Sequence, residues 1–384
     1  MIWFSLKLRT TVSTTLVLAL LAFAAPRLCT RPADAAEVRA RAQSEWDKTL
    51  EAAKKEGKLS IYFWQGGNLE KVIQNFQKKY PEIQLTTVGG RGSGFVTRIT
   101  TEMRAGKHLA DVCMCGVTSP YEVLLKRANA IEPIKPTFIL PEVKDESKWW
   151  QGKHHFQDPE GQYIIAYWGR PAATRLAYNT GHASPTEFKS YWDLLNSKWK
   201  GKIVAVDPNE SAGGWRALYY KPGLGPEFLR RFFGEMDITM TRQDRQGTDW
   251  LGTGKFALGL FLTGIPEAKA QGLPVDEFKD SNFKEQPSLD TGANGTLVLM
   301  KQAPHPNAAK LFINWFLSRE GQTSYQEIMN TPLDYVESMR EDVPKDSIPL
   351  EYRRRKGVNY VLMFLPEHMD PQPMLKLYKD TFKR

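Results

Sequence analysis

The chain is poor in the residues that most enzyme chemistry needs. Its 384 residues include three cysteines and six histidines. Neither a G-x-S-x-G nucleophile elbow nor an H-E-x-x-H helix occurs, and no convergent acid, base and nucleophile set can be assembled. Cys113 and Cys115 are spaced to share one side of a strand. A disulfide between neighbours two apart is strained, and two thiols alone make no zinc site, so both are expected as small buried apolar residues. Such a chain must be stable through its core, and its length is ample for that. An apolar run long enough to span a bilayer is also lacking. No repeat or low-complexity linker interrupts the sequence.

Charge of one sign is not in large excess. The net formal charge is +9. About a third of it lies in the first 36 residues, on Lys7, Arg9, Arg27 and Arg31 against Asp34. The remaining surplus is mild and interspersed with acids, which argues against a nucleic-acid footprint and agrees with an anionic ligand.

The first 36 residues read as an export signal. Lys7 and Arg9 precede the apolar stretch Thr10 to Ala25, and Ala33, Ala35 and Ala36 suit cleavage. Cys29 raises the question of lipidation, but the preceding Leu28 is bulky where a small residue is needed. An amphipathic helix is expected over Glu37 to Lys58. Two strand–turn–helix units follow, with strands at Lys58–Trp64 and Ile83–Val88 and a helix at Leu69–Lys79. Such units imply a parallel sheet with ligands at the carboxyl ends of its strands.

Those ends carry the first candidate site. Gly89, Gly90, Gly92 and Gly94 surround Arg91 and Ser93 just before a helical pattern at Phe95, Val96, Ile99 and Met103. Strand, glycine turn and helix direct free backbone N–H groups at an anion. An ordinary strand-to-helix loop is the alternative, and no dinucleotide or P-loop fingerprint is present. Gln65 and Gly66 end the preceding strand and should neighbour Gly90 to Ser93. Asp111–Cys115 is a third strand, with Ser119 in its loop and Pro120 opening a helix. Tyr163–Trp168 and Arg175–Tyr178 are expected to pair antiparallel around Gly169-Arg170-Pro171.

The order of several segments resembles a known family. KEGKLSIYFWQGG, GRGSGFVTRITTEMRAGKHLADV, RLAYNT, WDLLNSKWKGKIVAVDP and PHPNAAKLFINWFLSREGQ are similar to the extracellular solute-binding proteins of ABC importers, nearest the ferric-iron, thiamine and phosphonate branch. The resemblance covers essentially all of the chain after the signal. It implies an α/β, two-lobed periplasmic-binding fold of type II, with two hinge strands and a ligand between the lobes. Closure around the ligand would signal to an inner-membrane permease. On this reading residues 37–178 form the first lobe, 179–290 the second, and 291–384 return to the first with the C-terminal helices.

The second lobe supplies a matching loop. Ser211, Ala212, Gly213 and Gly214 follow the strand Ile203–Val206 and open a helix towards Tyr220. Two such loops, one per lobe, would grip an anion from both sides. Arg91 adds charge, while Arg216 is either a site residue or a solvated one. Arg242, Thr263, Asp290, Gln65 and Ser119 would shape selectivity, with Trp168 or Trp215 stacking on an apolar part of the solute. Ferric-binding members carry adjacent tyrosines where this chain has Phe261, Leu262, Thr263 and Gly264. No metal ligand set and no cofactor is therefore assigned. The Tyr219-Tyr220 pair reads as helix packing. His154-His155 reads as an exposed polar doublet, His305 as structural, and the run Glu351 to Lys356 as solvated surface.

The expected function is capture of a small anionic organic solute in the periplasm by a monomer that binds no nucleic acid and hands the solute to the permease. The alternatives are a ferric-iron receptor of the same family and an exported enzyme on the same fold.

Overall fold

The computed structural model describes residues 32–65, 68–90, 92–171, 175–292, 295–332 and 335–382. Residues up to Arg31, which hold most of the expected export signal and Cys29, lie outside the described residues, as do Gly66 and Arg91. Of the two compact units, Met1–Arg41 and Ala42–Arg384, the first contributes the start of helix α1 (Pro32–Glu56), where Arg41 pairs with Glu37 at 2.6 Å. Among the described residues no helix is long and apolar enough to cross a membrane.

The second unit is built on two large sheets, each with its own core. Gly57, at φ +62°, stops α1 and turns the chain into β1 (Lys58–Trp64). Helix α2 (Leu69–Lys79) buries Leu69, Val72, Ile73 and Phe76, one apolar stripe at 3.6-residue spacing. Strand β2 (Gln84–Gly90) and helix α3 (Gly92–Arg104) follow. β3 (Val112–Cys115) leads through a π-helical segment, Pro120–Arg127, to β4 (Ile131–Glu132) and the short α4 (Pro141–Lys144). With β5 (His155–Phe156), β6 (Ile165–Ala166) and β14 (Thr296–Met300), these strands form a sheet in the order β2-β1-β3-β14-β6-β5, with β4 on β14. Its β1, β2 and β3 are parallel, and β14 runs antiparallel to β3. Ile61, Val112, Met114 and Leu297 face one core; Tyr62, Cys113 and Val298 face another on the opposite side. Burial on both faces explains why these strands are nearly continuous apolar runs.

The other large sheet has the order β10-β9-β11-β8-β12. Its strands are β8 (Leu176–Asn179), β9 (Ile203–Val206), β10 (Ile238–Thr241), β11 (Leu258–Leu260) and β12 (Val275–Glu277). Helices α5 (Ala212–Tyr220), α6 (Gly225–Glu235), α7 (Asp244–Gly252) and α8 (Ile265–Ala270) supply the rest of this half. Between the two runs a small sheet, β15-β13-β7, joins β7 (Arg170–Pro171), β13 (Ser288–Asp290) and β15 (Val361–Leu362). The chain leaves the first sheet through β7 and returns through β13, and these two crossing strands pair antiparallel. Helices α9 (Pro306–Leu317) and α10 (Arg319–Met329) then cover the first core.

Several expectations are corrected. Tyr163–Trp168 and Arg175–Tyr178 do not pair. β6 bonds β5 and β14, whereas β8 bonds β11 and β12, because the chain crosses between sheets at Arg170 instead of turning back. Ser318 separates α9 from α10 and caps the latter, its hydroxyl accepting from Gly321 N–H. Helix α11 (Gln372–Thr381) places Met374 and Tyr378 in the second core. Cys113 and Cys115 are buried as expected but joined in a disulfide, their Cα atoms 5.7 Å apart. The His154-His155 doublet is buried rather than exposed. His154 Nε2 bonds Val143 O at 2.8 Å, and His155 Nε2 bonds Trp150 O at 2.9 Å. Arg354, in the run expected at the surface, is buried against Glu337.

Candidate functional site

One cavity of about 190 Å³ lies where α5 meets the small crossing sheet. Its wall combines three stretches of chain. Ser211, Gly213, Gly214, Arg216, Ala217, Leu218 and Lys221 come from α5 and its ends, Arg170 and Arg175 from the first crossing, and Pro287, Ser288 and Asp290 from the second. Tyr191, Phe261 and Met363 complete it.

Local backbone demands explain the shape. Ser211 is the extended N-cap residue of α5, so the helix starts at the cavity wall with its first N–H groups unsatisfied by helical bonds. A side chain added at Gly213 would meet nothing within 4 Å, while one at Gly214 would overlap the Phe261 ring. Phe261 itself sits at φ +62° and Arg175 at φ +46°, a conformation that non-glycine residues seldom adopt. The two are joined by a 2.7 Å bond from Phe261 N–H to Arg175 O. Two strained residues side by side at the rim of one cavity are the kind of feature that surrounding structure holds in place for a ligand.

The electrostatics of the wall are one-sided. Arg170, Arg175, Arg216 and Lys221 face one carboxylate, Asp290. Arg216 is half-buried; its Nη1 donates to Met369 O at 3.1 Å, and its buried Nε has no partner among the described residues. Burial pushes its guanidinium below the ordinary value, and the charge of Asp290 opposes that shift. A guanidinium that has lost water and gained one carbonyl is under-satisfied, and an anion in the cavity would complete it. Lys221 is held by Gln286 O at 2.8 Å and Ser288 Oγ at 3.1 Å. Asp290 Oδ1 accepts from Gly292 N–H at 3.2 Å, the turn-capping role, while the residue also borders the cavity.

Of the residues weighed from the sequence, Ser211, Gly213, Gly214, Arg216 and Asp290 meet at this cavity. The others do not join them. Ala212 lies in the first turn of α5 but outside the wall. Gln65 and Gly90 are neighbours, through a 2.8 Å bond from Gln65 N–H to Gly90 O at the ends of β1 and β2. Yet a side chain at Gly90 would overlap Phe95, so that glycine makes room for the protein's own packing. Gly92 and Ser93 lie in the first turn of α3, and Ser119 caps the π-helical segment without a side-chain bond. Arg242 is 84% exposed and 4.0 Å from Glu210. Thr263 Oγ1 donates to Asp244 Oδ2 at 2.7 Å. Neither tryptophan lines the cavity. Trp215 is fully buried, with Nε1 donating to Val206 O at 2.8 Å, and Trp168 is 3% exposed in the first core. Both are wide apolar rings that the cores took up.

Arg170, Arg175, Lys221, Tyr191 and Ser288 were missed. Arg170 sits in a two-residue strand, which leaves no periodic signal. Tyr219 packs against the second core, and Tyr220 Oη donates to Asp370 O at 2.9 Å. Among the described residues no group of three His, Cys, Asp or Glu is gathered as a metal site.

Two α/β halves joined by paired crossing strands, with a cavity beside the crossings, define the two-lobed periplasmic-binding fold. Solved structures agree. FutA (IdiA) of Trichodesmium, in complex with iron and citrate, has a TM-score of 0.60 at 19% identity over 85% of this chain and 99% of its own. Iron-bound HitA of Pseudomonas aeruginosa gives 0.57 at 19% over 84% and 99%. AfuA of Actinobacillus pleuropneumoniae, with fructose 6-phosphate, gives 0.55 at 18% over 84% and 97%. An uncharacterised Haemophilus influenzae protein is 25% identical over 284 residues, 71% of this chain and 76% of its own. The family described as bacterial extracellular solute-binding protein matches residues 65–323, and the chain belongs to that family, the solute-binding components of ABC-type transport. Its members are periplasmic or extracellular.

Proposed function

We propose that this protein captures a small anionic organic solute in the cavity between α5 and the crossing strands and delivers it to a membrane permease. The observation that carries the reading is the cavity wall: four cations against one carboxylate, with the buried Arg216 Nε left for a ligand. The helix start at Ser211 to Gly214 adds backbone donors on the same side. Two structural neighbours support an anion through their own ligands, citrate with iron in FutA and fructose 6-phosphate in AfuA. The protein acts as a periplasmic monomer, exported by the segment before Glu37. Residues 37–178 and the return after 291 make one lobe; residues 179–290, with α11 docked on them, make the other.

The test is a thermal-shift panel on protein unfolded and refolded to strip its ligand. Fructose 6-phosphate, inorganic phosphate, citrate and thiamine are set against ferric citrate. A ligand present at a hundred times its dissociation constant adds about 2.7 kcal/mol and raises the melting temperature. A shift with an organic anion supports the reading. A shift with thiamine alone, or with ferric citrate but not with citrate, overturns it.

A further inference from the structure

The first crossing is gripped from behind by a segment far along the chain. Gly169 N–H donates to Glu337 O at 2.9 Å, and Gly169 O accepts from Arg354 Nη1 at 2.6 Å. Trp168 and Ser338 form an isolated antiparallel bridge. One residue on, Arg170 Nη1 donates to Tyr335 O at 2.6 Å, with its guanidinium 5.6 Å from the Trp168 ring. The cavity cation Arg170 is therefore aimed by a carbonyl of the same segment that holds its neighbour's backbone.

That segment is locked by a buried ion pair. Arg354 and Glu337 have side chains 2% and 5% exposed, with Arg354 Nη2 3.2 Å from Glu337 Oε1. Arg354 N–H donates to Glu337 Oε2 at 2.6 Å, and Nη2 donates to Ser338 O at 2.7 Å. One planar fork thus reaches the crossing with Nη1 and the 337–338 backbone with Nη2, which a lysine cannot do. No slack remains at the crossing: a side chain on Gly169 would come within 2.6 Å of Met339 Cε and 3.0 Å of Leu289 Cδ2. Buried ion pairs of this kind often add little stability over apolar residues of equal volume. Their geometry is then the more direct reason for their presence.

We propose that Arg354 and Glu337 are positioning residues for the solute, clamping the Gly169–Arg170 crossing against residues 335–338 so that Arg170 stands preset in the cavity wall. The inference rests on the cavity being the solute site. A preset cation spares the ordering cost that a free side chain would incur on binding.

Two measurements test it. The ligand-free crystal structure of Glu337→Gln/Arg354→Met, which removes both charges together, should show Arg170 Nη1 away from Tyr335 O. Calorimetry with fructose 6-phosphate should show that the double variant binds roughly tenfold more weakly than wild type, and that it costs nothing further in an Arg170→Met background, since coupled residues are not additive. Arg354→Lys serves if the double variant does not fold, with the same expected pattern. An unmoved Arg170, or a loss that persists in full without Arg170, overturns the proposal. Should wild type bind neither fructose 6-phosphate nor any other organic anion, the solute reading fails by itself, and the position of Arg170 in the variant structure still decides the clamp.

Discussion

Two glycine-rich strand-to-helix turns look alike in the sequence and have different uses. At the β2–α3 turn, Gly90 leaves a gap that the Phe95 ring fills. At the β9–α5 turn, Gly214 likewise yields to Phe261, but Gly213 borders open space and lines a cavity rimmed by arginines. Glycine spacing reports only that something must come close to the backbone. Whether that is the protein's own core or a solute is decided by what surrounds the turn, and here Arg216 and Lys221 come from α5 and its end while Arg170 and Arg175 come from the first crossing.

The comparison breaks most readily at Arg216. Reversing its charge in Arg216→Glu places a second carboxylate beside Asp290 in a wall that now holds one. For whichever anion stabilises the wild type, affinity should fall at least a hundredfold, about 2.7 kcal/mol or more. Arg216→Met should fall less, by about tenfold. Calorimetry on both variants reads the result, and unchanged affinity in Arg216→Glu would remove the second turn from the site.

Gly90 and Gly213 sharpen the contrast through stability. Gly90→Ala forces a methyl group into Phe95 and should cost about 1–3 kcal/mol in urea unfolding while leaving anion affinity alone. Gly213→Ala has room and should hold full stability. Equal losses in the two variants would mean that both turns are packed alike.

How much of this was legible follows from how local each signal is. β1, α2 and β9 end where the sequence predicted, because Gly57, the apolar stripe of α2 and the run Ile203–Val206 are self-contained cues. Only part of the cavity could be read, the start of α5 and Asp290. Arg170 and Ser288 owe their places to strands of two and three residues that pair across more than a hundred positions, and such strands have no periodicity to detect. Arg354 and the two histidines failed for a related reason. A charge run or a polar doublet reads as surface until a distant partner is known, and Glu337, Val143 and Trp150 are what bury them.

The clamp behind the crossing offers a pH test of which side of the cavity is rigid. Lys345 Nζ donates to Ser338 O at 2.9 Å and Arg340 O at 2.8 Å, and burial, then the charge of Arg354, push it down to about 7 from 10.5. Between those values the unfolded chain keeps a proton that the folded one has released, so stability rises with pH across the window and is lowest below it. The rise should be about 1–2 kcal/mol, discounted from 1.36 kcal/mol per unit for partial solvent access. Lys345→Met should flatten it. Urea unfolding at pH 7 and pH 9.5 checks this, and an equally steep rise in the variant would place Lys345 in water.

The smallest effect is expected at Arg242, and it closes the comparison from the other side. Arg242 lies just past the end of β10, beside the β9–α5 turn in sheet order, and the sequence offered it as a selectivity residue. Its side chain is 84% exposed and 4.0 Å from Glu210, a surface pair worth well under 1 kcal/mol. Arg242→Glu repels Glu210 weakly and changes anion affinity by less than about twofold, with most of that lost at physiological salt, where a charge beyond about 8 Å is screened. Titrations in low and moderate salt separate the cases. A large loss that survives salt would mean that Arg242 swings into the cavity when the solute arrives, and the basic wall would then extend from the crossing strands to the tip of the second sheet.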